Sequence, residues 1–306
     1  MRLSDLGTWA TRHEGNRALG VMVVAVCLCS APAWGQEQSP PRGPTELDRD
    51  TGAAAPPEIA PRSPRWDFTL GGQVGFPTGH LQVGETGAAG TRLSLRGDLG
   101  IDVSEAVTFD AAYHFTPRDA IRASFLYYFL DGSSTTNQSL VYNGMPIPPG
   151  PVHTNANFWQ ATLAYERTLA SLGAGGQLIG SAGLTYVYFN PRVNGNSEDF
   201  YLQELPVPLL GLRATYPVGE HVSLTASLSG GILPWINSGR TEGGTVFITQ
   251  SHADLGLGLA YAVTPALRLE ASYQLRYFTQ HEVSHEDNNA FLLIDNGFRL
   301  SLNYRF

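Results

Sequence analysis

The sequence predicts an all-β fold over residues 66–306 of the 306-residue chain, an antiparallel up-and-down β-barrel that crosses a membrane. Two observations support this prediction. Segments of about ten residues alternate between apolar and small or polar side chains, the period expected of a strand that has one face in lipid. Short and long connections follow one another between these segments, as in barrels that turn tightly on one side of a membrane.

The first 35 residues predict an export signal peptide. Three arginines precede an apolar run from Ala18 to Cys29, which is shorter than the roughly 20 residues that a membrane-spanning helix needs. Ala33-Trp34-Gly35 places small residues before Gln36, so cleavage is expected near Gly35 and Gln36. A buried N-terminal helix or a membrane anchor is the alternative interpretation.

Residues 36–65 are rich in proline, alanine and charge, so they predict a disordered periplasmic linker, with a partner-binding segment as the alternative. Both cysteines, Cys27 and Cys29, lie in the predicted signal peptide, which excludes thiol and disulfide chemistry from the exported chain. The formal net charge of -8 argues against nucleic acid as a partner, because phosphate binding needs a basic surface.

The alternation runs from the first predicted strand to the last. Leu70 and Val74 oppose Thr69 and Gln73 at the start of the barrel. In the final segment one face carries Phe298, Leu300, Leu302, Tyr304 and Phe306, and the other carries Gly297, Arg299, Ser301, Asn303 and Arg305. The pattern gives ten strands, with eight or twelve as alternatives, centred near residues 71, 110, 126, 163, 182, 210, 227, 255, 272 and 301.

The connections are predicted from the gaps between these strands. Tight turns are expected at 116–119, 217–220 and 264–265, and long external loops at 131–155, 190–199, 233–245 and 279–289. Residues 91–103 alternate well enough to form a strand, but an extra strand would make the number odd. We therefore assign them to the first external loop, with the option that they fold inward.

A soluble β-sandwich or barrel would also alternate. Here the polar face is crowded with Gly, Ser, Ala and Thr, which suit a confined lumen better than bulk water. Aromatic residues also gather at strand ends, as at Tyr127 and Phe129 or Tyr186 and Tyr188, where girdles at the lipid headgroups are expected.

The alternating tail that ends in Tyr304-Arg305-Phe306 resembles the last strand of Gram-negative outer-membrane barrel proteins. The resemblance implies a location in the bacterial outer membrane, contact with its lipid, and recognition of Phe306 and Tyr304 by the barrel assembly machinery. More loosely, residues 66–306 are similar to small uncharacterised proteobacterial barrels. Gly97-Asp98-Leu99-Gly100 and Phe115-Thr116-Pro117-Arg118 carry that similarity.

Charged residues of both signs are predicted to face the lumen. The predicted network contains Asp110, Arg122, Glu166, Arg213, Asp254, Arg268, Glu270, Arg276, Arg299 and Arg305, with Asp67 and His114 beside it. Charges in a narrow interior must pair, so the network predicts either a structural filling of the barrel or a narrow path for small charged solutes.

Two further groups of residues were considered as chemical sites. Ser229, His252 and Asp254 are candidates for a hydrolase acting on lipid or peptide at the outer rim, but two side chains on one strand face project in parallel. His281, His285, Glu286 and Asp287 are candidate metal ligands in the last external loop. Neither group forms a convincing site, so the sequence predicts a barrel without enzymatic activity, cofactor or metal. Partner binding by the external loops is a third possibility.

Overall fold

The computed structural model describes residues 65–85, 89–173, 175–197, 205–241 and 245–306, with the backbone alone for 238–241. The predicted signal peptide and linker residues 36–64 lie outside these ranges and stay predictions. No helix of the described part of the chain is long and apolar enough to cross a membrane.

The described residues form β-strands joined by turns and loops. In chain order the first nine are β1 (Trp66–Gly75), β2 (Thr78–Gln82), β3 (Leu93–Ser94), β4 (Ser104–His114), β5 (Asp119–Phe129), β6 (Asp131–Thr136), β7 (Leu140–Tyr142), β8 (Met145–Ile147) and β9 (Gly150–Asn155). The remaining strands are β10 (Phe158–Ser171), β11 (Gln177–Phe189), β12 (Arg192–Val193), β13 (Asn196–Ser197), β14 (Val207–Pro217), β15 (Val222–Thr241), β16 (Thr245–Ala262), β17 (Leu267–Val283) and β18 (Asn288–Arg305).

Ten of these strands close into an antiparallel barrel in the order β1-β4-β5-β10-β11-β14-β15-β16-β17-β18. The barrel closes because β18 also pairs with β1, from Asp67 opposite Arg305 to Gly75 opposite Gly297. Strand β2 pairs with residues 290–294 of β18, and β3 pairs with β2. The predicted number of ten strands is confirmed, and every predicted centre falls within a barrel strand.

The barrel wall is apolar outside and polar inside. Leu210, Phe298 and Leu300 are 69%, 68% and 57% exposed, whereas Asp67 and Gln73 are 5% and 4% exposed. A soluble protein would have the opposite arrangement, because so large an apolar surface is unstable in water. The outer face is therefore suited to lipid, as the sequence pattern predicts.

The two ends of the barrel differ. At one, called here the termini end, the Trp66 amide donates to the carbonyl of Phe306 (3.0 Å) and the connections between strands are tight turns. At the other, the loop end, longer connections are described at residues 76–85, 89–103, 130–157, 190–197 and 205–206. The rings of Trp159 and Tyr188 stack outside the wall near the loop end, with centroids 5.5 Å apart.

Two predicted long loops are largely extensions of barrel strands. Residues 233–245 and 279–289 were expected to be loops, but β15 runs to Thr241, β17 to Val283, and β18 begins at Asn288. In the first stretch the ladder passes Pro234 through a register shift between Leu233 and Ile236, and an irregularity of this kind accommodates a proline.

The connection at 131–155 contains strands of its own. Strands β6, β9, β12 and β13 form a separate four-stranded sheet, while β7 and β8 form a hairpin. Asn143 and Gly144 turn this hairpin, both with positive φ (51° and 65°). An Asn-Gly pair with this geometry is the strongest local signal for a two-residue hairpin turn, and it would have located these strands in the sequence.

Buried apolar side chains from these loops and from the barrel wall fill the lumen at the loop end. We call this cluster the apolar cap; it consists of Leu81, Val83, Leu93, Leu95, Leu99, Ile101, Ala106, Leu126, Tyr128, Leu130, Leu140, Tyr142, Ile147, Val152, Ala156, Phe158, Val187, Phe189, Val193, Phe278, Phe291 and Leu293. The prediction that residues 91–103 belong to the first external loop holds apart from the two-residue β3. Their leucines are turned inward and are 0% exposed.

The outward apolar face leads to a prediction about stability in lipid. Leu300→Arg places a charge on the lipid side of β18, so it should lower the free energy of unfolding by about 2–4 kcal/mol if it lies near the middle of the bilayer. Urea unfolding of the protein in lipid vesicles, followed by tryptophan fluorescence, measures this change. Val218→Arg is the control, because Val218 is 53% exposed in a turn at the termini end and its substitution should change stability little. Equal effects of the two substitutions would contradict a lipid-facing β18.

Candidate functional site

The interior between the apolar cap and the termini end is polar and contains two adjoining cavities. One, of about 450 Å³, lies at the termini end and is lined by His114, Arg118 and Glu166 among others. The other, of about 380 Å³, is lined by residues such as Asp110, Arg268 and Arg299. Asp67, Arg213 and Arg305 line both, so the two cavities form one continuous space that opens at the termini end.

Glu166 lies at the centre of the largest group of charges. The Nε of Arg122 is 2.8 Å from one of its carboxylate oxygens, and a terminal nitrogen of Arg213 is 3.1 Å from the other. These three side chains come from β5, β10 and β14, so the group connects strands on both sides of β10 and β11. The carboxylate side chain is 9% exposed, and burial at this level requires the positive partners that it has.

Two more pairs connect strands around the point of closure. Arg299 of β18 lies 3.4 Å from Asp110 of β4, across the intervening β1. Arg305 lies 3.3 Å from Asp67, its neighbour on β1. Both pairs therefore join the last strand to the first strands of the barrel through side chains as well as through the backbone ladder.

The boundary between the polar lumen and the apolar cap is made by Arg276 and its neighbours. Arg276 forms an ion pair with Asp254 on the adjacent β16, and its guanidinium lies over the ring of Tyr128, 5.3 Å from the centroid. The Tyr128 ring in turn stacks on Phe158, with centroids 4.9 Å apart. One face of Tyr128 thus belongs to the cap, while its hydroxyl reaches the polar layer.

Asp295, which is 0% exposed, accepts hydrogen bonds from three strands at this boundary. Its Oδ2 accepts from the Tyr128 hydroxyl (2.6 Å), the Ser104 hydroxyl (2.9 Å) and the Gln73 amide (3.2 Å). These donors lie on β5, β4 and β1, so one carboxylate of β18 ties together four strands of the wall. Gly75 is required beside it, because a Cβ there would overlap the carboxylate.

Glu270 and Arg268 complete the predicted network on β17. Glu270 accepts a hydrogen bond from the Thr225 hydroxyl at 3.2 Å. Arg268 lines the cavity that Asp110 and Arg299 line, and also a third cavity at the mouth. Its Nη2 is buried and has no hydrogen-bond partner among the described residues.

The structure brings the predicted charged residues together as inward-facing groups, and it adds residues that the sequence analysis missed. Asp295, Tyr128 and Gln73 were not predicted to take part. Asp295 lies in a stretch where both faces of β18 are largely apolar, so no alternation marked it as inward. A lone carboxylate within an apolar strand was the signal that could have found it.

The hydrolase candidates do not form a triad. Ser229 lies directly opposite Asp254 in the ladder, but Asp254 pairs with Arg276 and not with His252. The His252 ring packs edge-on against Phe278, with centroids 4.9 Å apart, and its Nε2 is buried with no hydrogen-bond partner among the described residues. The serine-to-histidine and histidine-to-aspartate hydrogen bonds that acyl transfer needs are not formed here.

The candidate metal ligands are also separated. His281 lies on β17, with its Nε2 3.1 Å from the Asn288 side-chain oxygen and its ring 5.5 Å from that of Trp235. Glu286 and Asp287 lie in the turn before β18, where their amides donate to the Ser284 hydroxyl at 3.0 and 2.8 Å. Among the described residues no three His, Cys, Asp or Glu side chains are placed to hold one metal ion.

The predicted assembly signal lies on the outside of the barrel at the termini end. The Phe306 ring is 59% exposed and packs against Phe68 and Tyr304, with centroids 5.6 and 6.0 Å apart. An exposed aromatic terminus of this kind is accessible to another protein. Its recognition by the assembly machinery stays a prediction.

The hydrogen bonds of Asp295 lead to a prediction. Asp295→Ala leaves the buried hydroxyl of Tyr128 without its acceptor and removes one of the two acceptors of the Gln73 amide, so it should lower the free energy of unfolding by about 1–3 kcal/mol. Ser104→Ala removes one of the three bonds and no acceptor, and we expect a loss of about 1 kcal/mol or less. Urea unfolding in lipid vesicles measures both. If the two variants were equally stable, Asp295 would not connect the strands as described.

Comparison with known proteins places this geometry in a family. The model of the outer membrane protein beta-barrel domain matches residues 60–306. A search of curated proteins gave no match.

Among solved structures, the outer membrane protease OmpT of Escherichia coli is 11% identical, with a TM-score of 0.48, covering 78% of this chain and 97% of that one. The toluene transporter TodX of Pseudomonas putida is 12% identical, with a TM-score of 0.32, covering 81% and 90%. The translocator domain of the autotransporter NalP of Neisseria meningitidis is 14% identical, with a TM-score of 0.40, covering 80% and 90%. These similarities are too distant for any activity of those proteins to be assigned to this chain.

The family match extends over the whole described barrel, whose closed wall of ten strands is apolar outside and polar within. The chain therefore belongs to the outer membrane protein beta-barrel domain family, and it is an integral β-barrel protein of the bacterial outer membrane.

Proposed function

We propose that this protein is a structural, non-conducting component of the outer membrane, closed by its apolar cap. The main support for the proposal is the nearly complete burial of the cap. Leu95, Leu99 and Phe158 are each 0% to 1% exposed although they lie inside the barrel. Ions and polar solutes do not cross a close-packed apolar layer, because they would lose their hydration without gaining a partner.

The charges below the cap support the same role. Arg122, Arg213 and Glu166 hold three strands through one ion-paired group, and Asp295 holds four through hydrogen bonds. Ions engaged in such contacts stabilise a defined barrel shape.

A narrow path for small solutes would need the cap to move out of the lumen. The polar space that opens at the termini end, which faces the periplasm in barrels of this kind, would then be its lower half.

Conductance measurements distinguish a closed barrel from one that provides a narrow path for small solutes. Wild-type protein reconstituted in planar bilayers should give no unitary currents. The double substitution Leu95→Asp/Leu99→Asp places two carboxylates in the cap, and the cost of burying them should expel residues 91–103 and open the lumen to ions. We therefore expect unitary currents from this variant.

The matched control alters the same segment at its surface. Arg96 and Asp102 form an exposed pair, with side chains 52% and 72% exposed, so Arg96→Gln/Asp102→Asn should leave the barrel silent. Currents from the wild-type protein would contradict the closed barrel and favour the solute path. Silence of the double-aspartate variant, with its fold verified by heat-modifiable gel mobility, would show that the cap is not what closes the lumen.

A further inference from the structure

The lumen below the cap carries more arginine than carboxylate. Seven arginines and four carboxylates line its two adjoining cavities, and one further carboxylate, Glu220, lines a third cavity at the mouth. The chain as a whole has a formal charge of -8. The excess of positive charge in the lumen is therefore a local property and does not follow from the composition.

The ion pairs leave part of this positive charge unmatched. Glu166 is shared by Arg122 and Arg213, so one carboxylate faces two guanidinium groups. Arg268 has no carboxylate at ion-pair distance among the described residues, and its Nη2 is buried without a hydrogen-bond partner there. Arg299 is paired with Asp110 through a terminal nitrogen at 3.4 Å, while its Nε is buried without a hydrogen-bond partner among the described residues.

Arg268 and Arg299 both line the cavity of about 380 Å³, and an excess of guanidinium groups over carboxylates around a cavity favours a negatively charged ligand. The planar fork of arginine binds carboxylate and phosphate through paired, charge-assisted hydrogen bonds. Thr225, Ser227 and Ser272 line the same cavity and add hydroxyl groups. Its volume of about 380 Å³ lies within the range of about 300–1,000 Å³ that is common for small-molecule sites.

We propose that this cavity binds a small oxyanion, a carboxylate or a phosphate, held by Arg268, with the other four arginines that line the cavity adding positive charge. The ligand enters at the termini end, since the apolar cap closes the other. The site goes beyond a structural role, and it does not depend on whether the barrel conducts, because binding is measured on protein folded in detergent. Failure of either proposal therefore leaves the other intact.

Binding of inorganic phosphate and of succinate to the purified protein tests the proposal by isothermal titration calorimetry. We expect saturable binding of at least one, and the preference between them identifies the anion class. Arg268→Gln should weaken binding about tenfold or more, the usual effect of losing a hydrogen bond to a charged group. Arg268→Lys keeps the charge and should retain more of the affinity than Arg268→Gln does.

A control and a second readout make the test independent of folding defects. Arg96→Gln, at the exposed loop end, should bind as the wild type does, and heat-modifiable mobility verifies the fold of each variant. In the wild-type protein, saturating anion should slow modification of Arg268 by phenylglyoxal, followed by mass spectrometry, and leave modification of Arg96 unchanged. Absence of binding by both anions at millimolar concentrations would overturn the proposal, as would equal affinity of wild type and Arg268→Gln.

Discussion

The pairing of β18 with β1 is the constraint on which the rest of this structure depends. In lipid no water can hydrogen-bond a free strand edge, so a sheet that crosses a membrane must close on itself. The ladder from Asp67 opposite Arg305 to Gly75 opposite Gly297 removes both edges at once. Closure also fixes which side chains face inward, because a shift of one residue would turn every lipid-facing side chain of β18 into the lumen.

Closure places the inward face of each strand in a confined space. The two ends of that space are filled by different kinds of side chain. At the termini end the space is occupied by arginine and carboxylate groups, of which the Arg122, Glu166 and Arg213 group is the best connected. At the loop end the lumen is filled by apolar side chains that are almost fully buried. Tyr128 joins the two halves, since its ring stacks in the cap and its hydroxyl donates to Asp295.

Most of the barrel wall could be predicted from the sequence, but little of the interior at the loop end could. Strict alternation located all ten strands and the inward charges, because each signal lies within one strand. The cap was not predicted, since Tyr128, Phe158 and Phe278 lie inward in stretches whose outward residues are also largely apolar, and the alternation disappears there. Asp295 was missed because its partners lie 167 to 222 residues away in the chain, and nothing local to Asp295 identifies them.

A disulfide between β1 and β18 tests whether the barrel is closed as described. Thr69 and Asn303 are ladder partners on β1 and β18, and the Asn303 amide donates to the Thr69 hydroxyl at 2.9 Å. With Cys27 and Cys29 replaced by serine, the variant Thr69→Cys/Asn303→Cys should form a cross-link on mild oxidation of the folded protein. It should then migrate faster than its reduced form after unfolding. The control Thr69→Cys/Thr215→Cys joins β1 to the distant β14 and should not cross-link. Failure of the first pair to react while both thiols remain alkylatable in denaturant would contradict the closed barrel, as would equal cross-linking of the control.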